Sequence, residues 1–278
     1  MRIVSAGKAL HSSEFYRKRQ KQKRIQRIFL SAGFVLFIIL LIYVSRREQF
    51  LITEVIVPEK NIVDREKIKE ITQQELQGYY LWFIPRSNAL LYPRQTIRTR
   101  LLTEFPRLES VALDLNGAKM LLVNVKEHTT FALYCERASI PKDLSQCYFL
   151  DKDGLIFAPA PAFSGDVYFV YASRSPIESP LGIQFMSQEE FNALVKFIEN
   201  LTSLGIHSSA LEVGDDEYKL LLSSGGDILW RRDSDASLVR LNLEAFLNND
   251  TIRAKGDFLD KVLRLDLRTS NKVFYKLK

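Results

Sequence analysis

The sequence predicts an α+β protein carried on a single membrane-spanning helix, and three observations lead there. Residues 28–44, IFLSAGFVLFIILLIYV, hold no charge, and only Ser31, Gly33 and Tyr43 interrupt the aliphatic and aromatic run. Beyond it, short stretches rich in β-branched and aromatic residues alternate with polar ones between Asn, Asp and Gly turns, the pattern of half-buried strands. Among them, four stretches repeat apolar residues at helical spacing behind capping signals.

At about 1.5 Å of rise per residue the uncharged run covers roughly 25 Å of a ~30 Å hydrocarbon core, and Ser45, Arg46 and Arg47 can snorkel at its end. The expected span is therefore 28–45. Nine basic residues precede it (Arg2, Lys8, Arg17, Lys18, Arg19, Lys21, Lys23, Arg24 and Arg27), and only Arg46 and Arg47 follow closely. Because Lys and Arg are retained on the cytoplasmic side, residues 1–27 are expected inside a plasma membrane and 46–278 outside it. A cleaved signal peptide has a shorter apolar region followed by small residues; here the run ends in SRREQF, which predicts an uncleaved anchor.

The formal charge of +6 is unevenly placed. Residues 1–27 carry net +8, whereas 28 of the 39 basic and 32 of the 33 acidic residues fall in 48–278, a net −4 with no basic stripe. Topology and anionic headgroups account for the basic tail, and a nucleic-acid role is not expected. About 230 residues beyond the span suffice for one large or two ordinary domains.

Taken in order, FLITEVIVP at 50–58 reads as a strand. Asp64 caps a helix with Ile68, Ile71 and Leu76 on one face and Gly78 as its stop. The aromatic stretch YYLWFIP at 79–85 is unfavourable in water and is expected to pack as core rather than to form a binding platform. Pro93 fits a first helical turn, and Ile97, Leu101, Leu102 and Phe105 continue that helix up to Pro106. ESVALDL and KMLLVNVKE then alternate around Asn116-Gly117-Ala118, a hairpin signature. The resulting order is strand, helix, helix, strand, strand.

Residues 51–126 resemble a POTRA domain, and they follow a basic tail and a single span, the layout of the bacterial cell-division proteins of the FtsQ/DivIB family. The matching residues are dispersed: Ile52 to Val57 as first strand, Asp64-Arg65-Glu66 at the helix start, Gly78 before Leu81-Trp82-Phe83-Ile84, and a helix ending Leu101-Leu102-Thr103-Glu104-Phe105-Pro106. Val111-Ala112-Leu113 and the strand ending Val123-Asn124-Val125-Lys126-Glu127 complete them. Leu265-Asp266-Leu267-Arg268 is similar to a signature near the end of the second domain of that family. The resemblance implies a POTRA domain at 50–127 and a β domain at 128–278, with an antiparallel sheet and two helices.

Within 128–278, FALYC and CYFLDKDGLIF read as strands with a turn at Asp151-Lys152-Asp153-Gly154. A loop with prolines at 159, 161, 176 and 180 surrounds the strand VYFVY. Ser187 and Glu190 form a capping box before a helix whose face is Phe191, Leu194, Phe197, Ile198, Leu201 and Leu204. SALEV, YKLLLS and DILWR are strands; Leu238, Leu241, Phe246 and Leu247 mark a helix behind Ser234 or Asp235. KVLRLDLR and NKVFYKL close the chain around Thr269-Ser270.

In an exported domain the pair Cys135 and Cys147 reads first as a disulfide, worth ~2–3 kcal/mol if it closes the intervening loop. The sharper alternative is a catalytic cysteine with His128 or His207 as base, but no orienting group or oxyanion site stands at recognisable spacing. The acidic pairs (Asp151 and Asp153; Asp215, Asp216 and Glu217; Asp233 and Asp235) read as solvated turns rather than calcium or hydrolase sites, and His11, His128 and His207 have no zinc spacing. No cofactor or metal is expected.

Two function classes follow. The resemblance implies a scaffold of the division septum without catalytic chemistry, its POTRA unit contacting early division proteins and its C-terminal part binding an FtsB-like (DivIC) partner complexed with an FtsL-like protein. A terminal strand at a sheet edge can accept a partner strand, which places Thr269, Asn271, Val273 and Tyr275 at the border of the contact; ordinary strand packing explains them equally well. The other class is a membrane-anchored cell-wall enzyme, which should present a polar cleft with a nucleophile or paired acids.

Overall fold

The computed structural model describes residues 13–58, 62–137, 147–161, 167–254, 256–269 and 272–278. They form two compact units: residues 13–58, 64–100 and 112–124 belong to the first, and 62–63, 101–111 and the chain from 125 onward to the second.

The first unit opens with one long helix, α1 (Ser13–Ser45), which includes basic sequence ahead of the uncharged run. Its stretch Arg19–Ser45 holds an 18-residue window with a mean hydropathy of 2.7, none of it buried against protein, and is long and apolar enough to cross a membrane. A short strand β1 (Glu54–Ile56) follows. The carboxylate of Asp64 accepts hydrogen bonds from the N–H groups of Glu66 and Lys67 and so starts α2 (Arg65–Leu76), which buries Ile68, Ile71 and Leu76. Gly78, at φ +88°, turns the chain into a small hairpin of β2 (Tyr79–Tyr80) and β3 (Ile84–Pro85).

Next in the chain, and divided between the two units, come α3 (Arg94–Glu104), in which Ile97 and Leu101 are buried, β4 (Leu108–Asn116) and β5 (Met120–Glu127). β5 is the centre of a three-stranded sheet in the order β1-β5-β4, with β1 parallel to it and Val55 opposite Leu121. The fold is thus mixed α+β behind one apolar helix.

The hairpin corrects the sequence reading. Of YYLWFIP only Pro85 is buried; Tyr79, Leu81, Trp82 and Phe83 are exposed. With two residues in each strand the hairpin is too short to bury its own aromatic side chains.

In the second unit β6 (Ala132–Cys135), β7 (Cys147–Leu150), β8 (Ile156–Pro159) and β9 (Val170–Ser173) are followed by α4 (Gln188–Ser203). Then come β10 (Ser208–Val213), β11 (Glu217–Leu222), β12 (Asp227–Arg231), α5 (Ala236–Leu247), two single-turn helices α6 (Asp250–Arg253) and α7 (Phe258–Lys261), and the strands β13 (Val262–Thr269) and β14 (Lys272–Leu277). They make one nine-stranded sheet in the order β14-β13-β12-β11-β10-β9-β6-β7-β8.

The sheet is mixed, not antiparallel, and carries four helices rather than two. β6 and β10 both run parallel to β9, and β12 runs parallel to β13. For two of these pairs the cause is a helical crossover: α4 lies between β9 and β10, and α5 to α7 lie between β12 and β13, and such a crossover brings the next strand back in the same direction.

One face of the sheet packs on Phe191, Leu194, Phe197 and Leu201 of α4 and on Val239 and Leu243 of α5. Leu238 and Leu241, which mark α5 in the sequence, lie on its exposed side. The opposite face holds a smaller apolar cluster around Leu133, Val170, Ala172 and Ala210. That cluster includes the disulfide between Cys135 and Cys147, which face each other across β6 and β7. The thiols are therefore bonded to each other, and the catalytic-cysteine alternative is removed. Of the polar loop ERASIPKDLSQ between them, residues 138–146 lie outside the described residues.

Candidate functional site

The large sheet has two edges, and the local sequence treats them differently. At the β8 edge, residues 182–185 run alongside: the Ile156 N–H donates to the Ile183 carbonyl at 3.0 Å, the Gly182 N–H to the Ile156 carbonyl at 2.7 Å, and the Phe185 N–H to the Gly154 carbonyl at 2.9 Å. Pro159 ends the strand with a residue that has no N–H to offer. At the other edge β14 pairs with β13 on one side, and no strand lies on its other side among the described residues.

Residue by residue, the edge divides into two faces. Leu265 stands opposite Tyr275, Asp266 opposite Phe274 and Arg264 opposite Lys276. Leu265 and Leu267 are buried, so Val273 and Tyr275 point to the core side. There the Tyr275 ring packs with Phe246 and Phe258 at centroid distances of 5.7 and 5.5 Å, and Val273 borders a groove of about 440 Å³ with Phe246, Asn249, Ile252 and Lys272.

On the outer face Phe274 is 56 % exposed and lines a wider cleft of about 760 Å³ with Thr269, Arg268, Asp266 and Glu217. Of the residues expected at the contact, Thr269 lies on this exposed side and Val273 and Tyr275 on the other, while Asn271 lies outside the described residues. Phe274 is not among the residues that the sequence places at the contact. The adjacent Phe274 and Tyr275 give period-two reasoning no way to choose between faces without the register.

Ion pairs fix the outer face. Arg264 forks onto both oxygens of Asp227 at 2.8 Å each, and Arg268 reaches Asp266 and, at 3.0 Å, Glu217, which Arg174 also binds at 3.0 Å. The Arg268 guanidinium holds the Asp266 carboxyl below the usual carboxylate range against the opposing effect of burial. Arg174, then Arg268, do the same for Glu217. The signature Leu265-Asp266-Leu267-Arg268 therefore has a physical role: its leucines anchor β13 in the core, and its charged pair holds β13 to β11.

A separate cleft of about 500 Å³ is the place to look for chemistry. It is lined by Glu190, Asp215, Asp216, Tyr218, Arg232 and Asp233, among others. Glu190 is fully engaged: Arg232 forks onto its two oxygens at 2.7 and 2.9 Å, and the Tyr218 hydroxyl donates to it at 2.7 Å. Arg232, and then Tyr218, hold the Glu190 carboxyl ionised against the effect of burial, while burial and the Glu190 charge push the Tyr218 hydroxyl well up. Both shifts move away from neutrality, the reverse of what a general acid or base needs. The capping box is thus half formed: the Ser187 hydroxyl accepts from the Glu190 N–H at 3.3 Å, but the Glu190 side chain leaves the helix for Arg232.

Asp151 is also not the solvated turn residue expected. It is buried, accepts from the N–H groups of Asp153 and Leu155, and sits 2.7 Å from Nδ1 of His128. Among the described residues no group of three or more His, Cys, Asp or Glu side chains converges to hold a metal ion. No protein-family model matches the chain, and a search of curated proteins finds no match.

Proposed function

We propose that this chain is a bitopic membrane scaffold that binds partners by strand addition, with the geometry of β14 as the observation that carries the reading. One edge of the nine-stranded sheet is sealed by backbone hydrogen bonds and a proline, whereas the other has an outer side with no neighbouring strand among the described residues. An incoming extended segment can bond to that side, and the flanking grooves can select its side chains.

The apolar helix supports an anchor in a plasma membrane, and the Cys135–Cys147 disulfide supports an oxidising compartment for residues 46–278, which fits a cytoplasmic N-terminus. The strand and helix order of residues 54–127, with its sheet order β1-β5-β4, supports the POTRA reading. Together with the signature in β13 it favours a place in the bacterial divisome, where the FtsB-like (DivIC) protein, paired with its FtsL-like partner, is the strand that β14 accepts.

The test is a pull-down of the FtsB-like partner with the full chain and with a chain lacking residues 271–278. Loss of capture with the remaining domain folded is the expected result; capture that survives rejects the reading. If the shortened chain does not fold, a Lys276→Cys chain that cross-links to the partner, against a Pro159→Cys chain that does not, gives the same decision. A cytoplasmic fluorescent fusion should gather in a mid-cell band, and uniform membrane staining argues against a division role.

A further inference from the structure

The exposed hairpin of the first unit carries this inference. Leu81 and Trp82 at its tip are 84 % and 88 % exposed, and Tyr79, Phe83, Leu90 and Leu91 are each half exposed or more. A patch of this kind is uncommon on a surface that meets only water. The turn is also strained: the Phe83 N–H closes it onto the Tyr80 carbonyl, and Leu81 and Trp82 stand at φ +46° and +71°, where Asn-Gly is the relaxed choice. Two bulky apolar residues held in that conformation point to a use for their side chains.

What holds the patch identifies its environment. Asn88 is buried and donates its side-chain N–H to the carbonyl of Ser45, the last residue of α1, at 2.9 Å, while its side-chain oxygen accepts from the Leu90 N–H at 3.0 Å. Nε of Arg46 donates to the Phe83 carbonyl at 2.9 Å, and its guanidinium lies 5.9 Å from the centroid of the Tyr79 ring. The tip residue Trp82 is thus next to Phe83, which bonds directly to Arg46, the residue that follows α1.

We propose that the Tyr79–Phe83 hairpin and the Leu90–Leu91 turn form a lipid-contacting foot, seated in the headgroup layer of the leaflet from which α1 emerges. Lipid is the occupant because the end of α1 fixes where the bilayer surface lies, and because Trp, Tyr and Arg are the side chains that settle at that depth. The foot ties the first unit to the membrane surface by a second contact besides the helix. It rests on the reading of α1 as a membrane span.

The test uses the full chain with Trp230→Phe, which leaves Trp82 as the sole tryptophan, in phosphatidylethanolamine–phosphatidylglycerol vesicles with and without brominated acyl chains. Quenching of Trp82 by brominated lipid, with an iodide quenching constant at least about threefold below that of tryptophan amide, is the expected result for a side chain in the interface. Trp82 fully open to iodide and insensitive to brominated lipid, in protein that resists carbonate extraction, overturns the foot and leaves the span standing. Protein released by carbonate overturns both. If Trp230→Phe disturbs folding, the difference between the natural chain and Trp82→Phe reports the same quantity. Trp82 that stays open to iodide in vesicles and is shielded only after a purified partner is added assigns the patch to protein and overturns the lipid contact.

Discussion

The two edges of the nine-stranded sheet face the same physical problem and solve it in opposite ways. An edge strand presents a row of N–H and C=O groups on which any extended chain can pair, so edges are normally covered, shortened or interrupted. The β8 edge is covered by residues 182–185 and ends at Pro159; the β14 edge is a six-residue strand of which every residue but Val273 is exposed. The start of β8 is thus paired and its end interrupted, whereas β14 has neither device among the described residues. The open edge is therefore the part of the sheet that the proposed scaffold uses.

The largest effect is expected where β14 gets its support. A Cβ on Gly226 would come within 2.4 Å of the Val262 carbonyl oxygen at the start of β13, so Gly226→Ala should lower stability by about 3 kcal/mol in chemical unfolding. Unchanged stability would show that β12 and β13 are not held as described. Next, replacing both Cys135 and Cys147 by Ser should cost about 2–3 kcal/mol, since the bond closes an eleven-residue loop, while leaving partner capture at β14 intact. Lost capture would mean that the sealed side also takes part in recognition.

A third pair of variants separates the faces of the open strand. Tyr275→Ala removes a ring packed on Phe246 and Phe258 and should destabilise by about 1–2 kcal/mol. Phe274→Ala should change stability by less than about 0.5 kcal/mol yet weaken partner binding roughly tenfold by titration calorimetry. The reverse pattern would put the contact on the core side.

The smallest effect is that of pH. Asp266 and Glu217 have folded pKa values below their unfolded ones, so their contribution is present above the ordinary carboxylate range near pH 4 and is lost as pH falls through the depressed values. Acid titration of the unfolding midpoint should show this loss, and Asp266→Asn together with Glu217→Gln should flatten it.

Much of this layout was legible because it depends on local chemistry. Asp64, Ser187 and Asp235 each cap the helix expected of them, and Phe191, Leu194, Phe197, Ile198 and Leu201 line the buried face of α4. What escaped depends on distant neighbours. Period-two patterns cannot separate parallel from antiparallel pairs, although a helix between β9 and β10 and another between β12 and β13 was a usable signal.

The candidate site turned on a bulge. Thr269 pairs with Lys272, and a regular ladder from there would set Leu265 opposite Lys276 and turn Tyr275 outward; a register shift between Asp266 and Thr269 instead sets Leu265 opposite Tyr275 and exposes Phe274. Aromatic content alone likewise does not show that YYLWFIP makes a hairpin of two-residue strands, too short to bury its own rings.

Hydrogen exchange of the two edges, measured on the full chain with and without the soluble part of the proposed FtsB-like partner, tests the central claim most directly. Strand addition predicts that amides within 272–277 gain protection while those of 156–159 stay as they were. Bound partner with no gain in 272–277, or with its protection confined to β8, would contradict it.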